Sequence, residues 1–282
     1  MRWKNARRSN NVENRRGQKV AKGGGVALLV VGLVVALLGG NPTPFISEGL
    51  ERTIQSRGNS QTSLPANQEA EMTDFVTAVL GSTEDVWQNI YTQNGQSYRE
   101  PSLVLFNGVV DSACGRAGAA TGPFYCSRDE KIYIDLAFYQ ELKDKFDAPG
   151  DFAQAYVIAH EVAHHIQNNM GIIPAVNNAK SQMNKRQANQ MTVRLELQAD
   201  CFAGIWAKRV RDDYNLVEVG DINEALNAAS QIGDDALQKR TQGYVVPESF
   251  THGTSKQRQT WFKRGFQTGS IDSCNTFEAK NL

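Results

Sequence analysis

The sequence predicts an α+β domain, mostly helical with a small sheet, set behind one N-terminal membrane-spanning helix. Three observations predict it. The run from Gly23 to Gly40 carries no charge. Leu103–Phe106 and Lys131–Leu136 read as strands, with Ile132, Ile134 and Leu136 alternating with Tyr133 and Asp135. Three stretches, about 151–169, 181–210 and 221–239, have helical length and patterning.

Taken in order, residues 1–22 hold eight basic side chains (Arg2, Lys4, Arg7, Arg8, Arg15, Arg16, Lys19, Lys22) against Glu13, a charge of +7. The rest of the chain has 22 basic and 29 acidic residues, or −7, so its formal net charge of 0 is a sum of opposites. That balance argues against a strongly basic nucleic-acid binder or an acidic disordered protein as a whole-chain description. As a helix, the uncharged run of residues 23–40 is about 27 Å long, at the short end for a bilayer core of about 30 Å. A buried core helix would show polar positions at helical spacing, and Val26–Leu38 shows none. A cleavable signal peptide is the other reading, but Leu37-Leu38-Gly39-Gly40-Asn41-Pro42 offers no small-x-small exit. Residues 23–40 therefore read as a single-pass anchor. The basic segment 1–22 is expected in the cytoplasm and everything after residue 40 outside it. The basic run reads as a topology signal in contact with anionic lipid rather than as a nucleic-acid site.

Residues 41–70, rich in Asn, Gln, Ser, Thr and Pro, read as a polar linker, and residues 71–282 as one domain with a sizeable core. Within it, Met72–Leu80 and Thr83–Tyr91 read as two short helices, the second opened by Ser82 with Asp85 three residues on. Asp151 is the expected N-cap of the first long helix, which Gly171 and Pro174 end. A last helix is expected over about 255–266. All four cysteines follow the uncharged run, in a compartment that permits disulfides. Cys114 and Cys126 bracket a Gly-rich stretch, a local staple, which leaves Cys201 to pair with Cys274.

His160-Glu161-Val162-Ala163-His164 is an H-E-x-x-H. On a helix, i and i+4 put both imidazoles on one face, where both can bind one ion, and Glu161 stands about 100° around from His160. There Glu161 can act as general base toward a zinc-activated water. Ala155, Ile158, Ala159, Val162 and Ile166 form an apolar stripe on another face. Zinc needs a third protein ligand. His165 points away, Met170 stands where an extended motif would have its third His, and His252 or a carboxylate remains. The preferred carboxylate is Glu196, with Asp200 one turn on as the group that orients a ligating imidazole. Met191, Leu195, Ala199, Phe202 and Trp206 are the expected buried stripe of that helix, and Ala199, Ala203 and Gly204 leave room for another helix. His252, in the loop Phe250-Thr-His-Gly-Thr254, is a candidate catalytic donor to the oxyanion, and Arg258 is a second candidate for that role.

The chain resembles the bacterial neutral zinc metallopeptidase family, membrane-anchored proteins of the zincin type. The similar stretches are Met1-Arg2-Trp3, Gly122–Cys126, Lys131–Asp135, His160–His165, Glu196–Gly204 and Thr251–Thr254. The resemblance implies a zincin-like domain over residues 71–282 and a gluzincin-like site, with His160, His164 and Glu196 on Zn2+ and Glu161 as base. It also implies a peptide or protein substrate, with Lys131–Leu136 as the edge strand to which an extended peptide adds. Two other function classes stay open on the sequence: a non-catalytic envelope scaffold or binding protein, and a zinc amidase acting on a non-peptide substrate.

Overall fold

The computed structural model describes residues 1–17, 65–118 and 121–282. The expected span over 23–40 and most of the linker lie outside them; among the described residues no helix is long and apolar enough to cross a membrane. The remainder is mostly helical, with a small mixed sheet, as the sequence predicts.

Four strands form that sheet: β1 (Val12–Asn14), β2 (Ser102–Phe106), β5 (Phe124–Cys126) and β6 (Lys131–Asp135). Their order is β1-β2-β6-β5, with β1, β2 and β6 parallel and β5 antiparallel to β6. A separate hairpin, β3 (Val109–Ser112) with β4 (Gly115–Gly118), is stapled to β5 by the Cys114–Cys126 disulfide. Lys131–Leu136 was expected at an edge; β6 instead lies inside the sheet, because the short β5 that the alternation pattern misses covers its outer side.

Helix α1 (Ala66–Gln93) is continuous through Gly81, where two helices and a linker reaching residue 70 were expected. Ser82 and Thr83 do not open a new helix; their hydroxyls donate back to the carbonyls of Val79 and Leu80, which satisfies them inside the turn. The short α2 (Ala137–Asp144) follows β6. Helix α3 (Asp151–Asn169) carries the H-E-x-x-H, and its apolar stripe from Ala155 to Ile166 is buried. Gly150, not Asp151, holds the cap position, and the Glu224 carboxylate accepts from the Phe152 amide at 3.0 Å. Gly171, left-handed at φ 74°, ends α3 as predicted, but Pro174 sits in the first turn of α4 (Ile172–Lys180), where its missing N–H costs nothing.

Helix α5 (Lys185–Asp212) is the centre of the domain. Its buried face begins at Val193 and Leu197 rather than at the half-buried Met191 and Leu195. From Leu197 to Ala207 it is buried on every side, since other helices enclose it. The expected third stretch is two helices, α6 (Asp221–Gln231) and α7 (Asp234–Gln242), broken at Gly233, where a Cβ would lie 2.5 Å from the Ser255 amide. Helix α8 (Ser255–Thr268) crosses α5 at two glycines. A Cβ on Gly204 would lie 2.1 Å from the Phe262 carbonyl oxygen, and one on Gly265 1.8 Å from that of Cys201. The second disulfide, Cys201–Cys274, ties the same helix to the C-terminal turn, so both expected pairings are present.

The structure departs most from the sequence reading at the N-terminus. Residues 1–16 are not a separate basic segment but part of the domain. Trp3 is buried, edge-on to Phe75 at 5.6 Å, and β1 adds to the outer side of β2. The terminal ammonium is 2.8 Å from Asp151 and 3.2 Å from Asp221; burial opposes its charge, but these carboxylates and Glu218 outweigh that and raise its pKa to about 10. Trp3→Ala should therefore destabilise the folded domain by about 3 kcal/mol, read as a lower urea midpoint. A free cytoplasmic tail would show no change.

Candidate active site

Helix α3 presents His160 and His164 one turn apart, with ring centroids 4.8 Å apart and planes near perpendicular. Helix α5 brings Glu196 to both. His160 Nε2 lies 3.1 Å from Glu196 Oε2, and His164 Nε2 lies 3.5 Å from Oε1. One donor atom from each of the three falls within 4.8 Å of the others. Zinc bonds of about 2.0–2.1 Å at tetrahedral angles put ligand atoms about 3.3 Å apart, so the donor set and its spacing fit that ion and leave a fourth position.

The other ring nitrogens are engaged by hydrogen-bonding groups. His160 Nδ1 is 2.9 Å from Asp200 Oδ1, and His164 Nδ1 is 2.8 Å from Gln167 Oε1. Neutral imidazoles that donate through Nδ1 keep the Nε2 lone pairs for an ion. Gln167 is fixed in turn, its amide donating to the Leu195 carbonyl at 2.7 Å and to Gln198 Oε1 at 3.0 Å.

Asp200 is fully buried and fully engaged. Beyond His160 it accepts from the Tyr156 hydroxyl at 2.5 Å and from Arg258 Nε and Nη2, both at 2.9 Å. Burial alone would raise the pKa of this carboxyl; Arg258 and His160 outweigh it and hold it at about 2. Arg258 therefore stands behind His160 with its side chain 3% exposed, rather than facing the cleft as an oxyanion donor. Its charge is spent on Asp200, and it also donates to the Ile232 carbonyl at 3.2 Å. Burial opposes a charge on His160, but Asp200 and Glu196 raise its pKa to about 10. Burial likewise opposes a charge on His164, but Glu196, with a smaller contribution from Glu161, raises its pKa; Glu161 itself is 8% exposed.

His252 sits in the loop before α8, half exposed. Asp234, the first residue of α7, holds that loop by accepting from the amides of Thr251, His252 and Gly253 at 2.7, 2.6 and 3.0 Å. Its other oxygen is 3.1 Å from His252 Nδ1. Burial works against a charge on His252, yet Asp234 and the carboxylate of Glu196 together raise its pKa. His165 is not part of the cluster: it is buried between Tyr98 and Tyr125, its Nδ1 3.1 Å from the Tyr125 hydroxyl, and burial lowers its pKa to about 4.

Tyr156, Gln167 and Asp234 do not figure in the sequence reading. The first two carry a signal, since they lie four residues before His160 and three after His164, on the same helix face. Asp234 carries none, because its link to His252 runs through a folded loop.

The profile of the family described as "Putative neutral zinc metallopeptidase" matches residues 1–277. The uncharacterized protein YpfJ of Escherichia coli K12 is 44% identical over 289 residues, which cover 98% of this chain and 99% of that protein. The uncharacterized protein Rv2575 of Mycobacterium tuberculosis H37Rv is 40% identical over 217 residues, 73% of this chain and 71% of that one. No solved structure matches the chain. With a match over nearly the whole length and a donor set that fits zinc, the chain belongs to the neutral zinc metallopeptidase family.

Proposed function

We propose that this protein is a membrane-attached, zincin-like zinc peptidase that works outside the cytoplasm. The observation that carries the reading is the convergence of His160, His164 and Glu196 within 4.8 Å, with Glu161 next to them on α3. Zinc, when bound by those three, supplies Lewis-acid chemistry that brings the pKa of a water from 15.7 to about 7. Glu161 takes the proton of the attacking water and returns it to the leaving amine. His252, as an imidazolium held by Asp234, donates to the oxyanion that develops on the scissile carbonyl. Asp200, gripped by Arg258 and Tyr156, fixes the ring of His160, and Gln167 fixes that of His164. An extended peptide adds to β5, the sheet edge nearest α3, where Tyr125 contacts His165. The uncharged run of residues 23–40 supports attachment to a membrane, and the two disulfides support an oxidising compartment.

The test is metal content beside turnover, on the full chain in detergent. One zinc per chain, with cleavage of casein or a peptide library lost on chelation and restored by zinc, is the expected result. A chain that takes up no zinc would overturn the proposal. Because Asp234 raises the pKa of His252, the imidazolium should persist to higher pH in the native protein than in Asp234→Asn. The alkaline limb of the kcat/KM profile should therefore move to lower pH in that variant. An unmoved limb would remove His252 from the reaction.

A further inference from the structure

We propose that residues 1–16 and the catalytic domain occupy one compartment, so that the apolar run Val26–Leu38 attaches the protein to a membrane without dividing the chain across it. This rests on how the N-terminal segment is held and on where it ends, and not on the zinc chemistry.

The segment is built into the domain along its length. Val12, Glu13 and Asn14 pair in register with Leu103, Val104 and Leu105. The Leu103 amide donates to the Asn11 carbonyl, and the Arg15 amide to that of Leu105, both at 2.8 Å. Helix α1 is shaped to receive it: a Cβ on Gly81 would lie 2.4 Å from the Arg7 carbonyl oxygen. Glu84, only 1% exposed, accepts from Arg7 Nη2 at 2.7 Å, Ser9 Oγ at 2.5 Å and Asn11 Nδ2 at 2.8 Å. All three partners come from residues 7–11, so the segment both covers this carboxylate and supplies its hydrogen bonds; moving it elsewhere would forfeit all three charge-assisted contacts.

The segment also ends where the domain resumes. Arg16 Nη1 is 2.9 Å from Glu69 Oε1, in the first turn of α1. The chain leaves the described residues after Gly17 and re-enters at Pro65 beside that ion pair. A single crossing would move the chain across about 30 Å of hydrocarbon. The 18 uncharged residues suffice for one crossing as a helix and not for two. Residues 41–64, with Glu48, Glu51, Arg52 and Arg57, are too polar to return through hydrocarbon. One crossing is thus incompatible with the Arg16–Glu69 and Val12–Leu103 pairings.

The N-terminal basic residues acquire a second meaning. Arg2, Arg7, Arg8 and Arg16 pair with Glu218, Glu84, Asp74 and Glu69, so the segment's positive charge complements the domain rather than marking a cytoplasmic side.

The experiment uses the full chain in intact cells whose outer layer admits a membrane-impermeant maleimide. The four native cysteines are paired, so Lys4→Cys and Val219→Cys, both at exposed positions, each add one reactive thiol. Equal labelling of the two before lysis is the expected result. Equal protection of both, relieved by lysis, would also support a shared compartment while removing the exported placement proposed above. Labelling at one position with protection at the other would overturn the inference. If either variant fails to accumulate, Asn5→Cys and Lys185→Cys, also exposed, serve as the pair.

Discussion

Glu161→Gln should leave one zinc bound and reduce kcat by about a thousandfold, within the range of 10²–10⁴ for a positioned acid–base group. Gln keeps the shape of the side chain and cannot accept the proton, while His160, His164 and Glu196 are untouched. Metal analysis beside single-turnover cleavage separates the two effects. A variant that keeps zinc and also keeps full turnover would assign the base to another group. A variant that loses zinc as well would mean that Glu161 also shapes the binding cluster, which its position beside His164 rather than within the donor set argues against.

The second large effect is expected at Asp200. Asp200→Ala removes the partner of a buried guanidinium, and breaking a buried pair from one side costs about 3–5 kcal/mol. It also frees the ring of His160, where loss of an orienting carboxylate lowers zinc affinity about 10–100-fold. Denaturant unfolding and competitive zinc titration should move together in this variant. Asp200→Asn, which keeps the shape without the charge, should fall between the two proteins in both measurements. The sign of the pH effect follows from a carboxyl held at about 2. Its contribution is present above the ordinary carboxylate range and is lost as the pH falls through about 2. The Asp200 network should therefore persist through the mildly acidic range, its contribution to stability falling only between the ordinary carboxylate range and a pH of about 2.

What was legible in the sequence was whatever depends on local spacing. His160, Glu161 and His164 declare themselves by one helical turn, and Glu196 and Asp200 by another. Gly204 announced the close helix contact that it makes with Phe262. What failed to read depends on distant partners. Gly81-Ser82-Thr83 looks like a break because helix-interior hydroxyls and an N-cap use the same residues; only the tertiary burial of α1 decides between them. Arg258 sits close enough to His252 in sequence to suggest a shared role, but its charge belongs to Asp200, 58 positions away. The ion pairs of the N-terminal arginines do not show in the sequence because their partners are 53 to 216 residues distant (Arg16 to Glu69, Arg2 to Glu218). β1 and β5 have three residues each, too few for an alternation to show.

The glycine contact between α5 and α8 has a thermodynamic consequence for metal binding. With backbone against backbone at Gly204 and Gly265, neither helix can slide without the other, and the disulfide from Cys201 holds the end of the same joint. Glu196 on one helix and the Arg258–Asp200 pair between them are therefore parts of one rigid body. An arriving ion meets Glu196 already ordered, so the entropy of placing that carboxylate is charged to folding rather than to binding. Affinity then reflects the bonds formed and the displacement of the proton that Asp200 and Glu196 favour on His160.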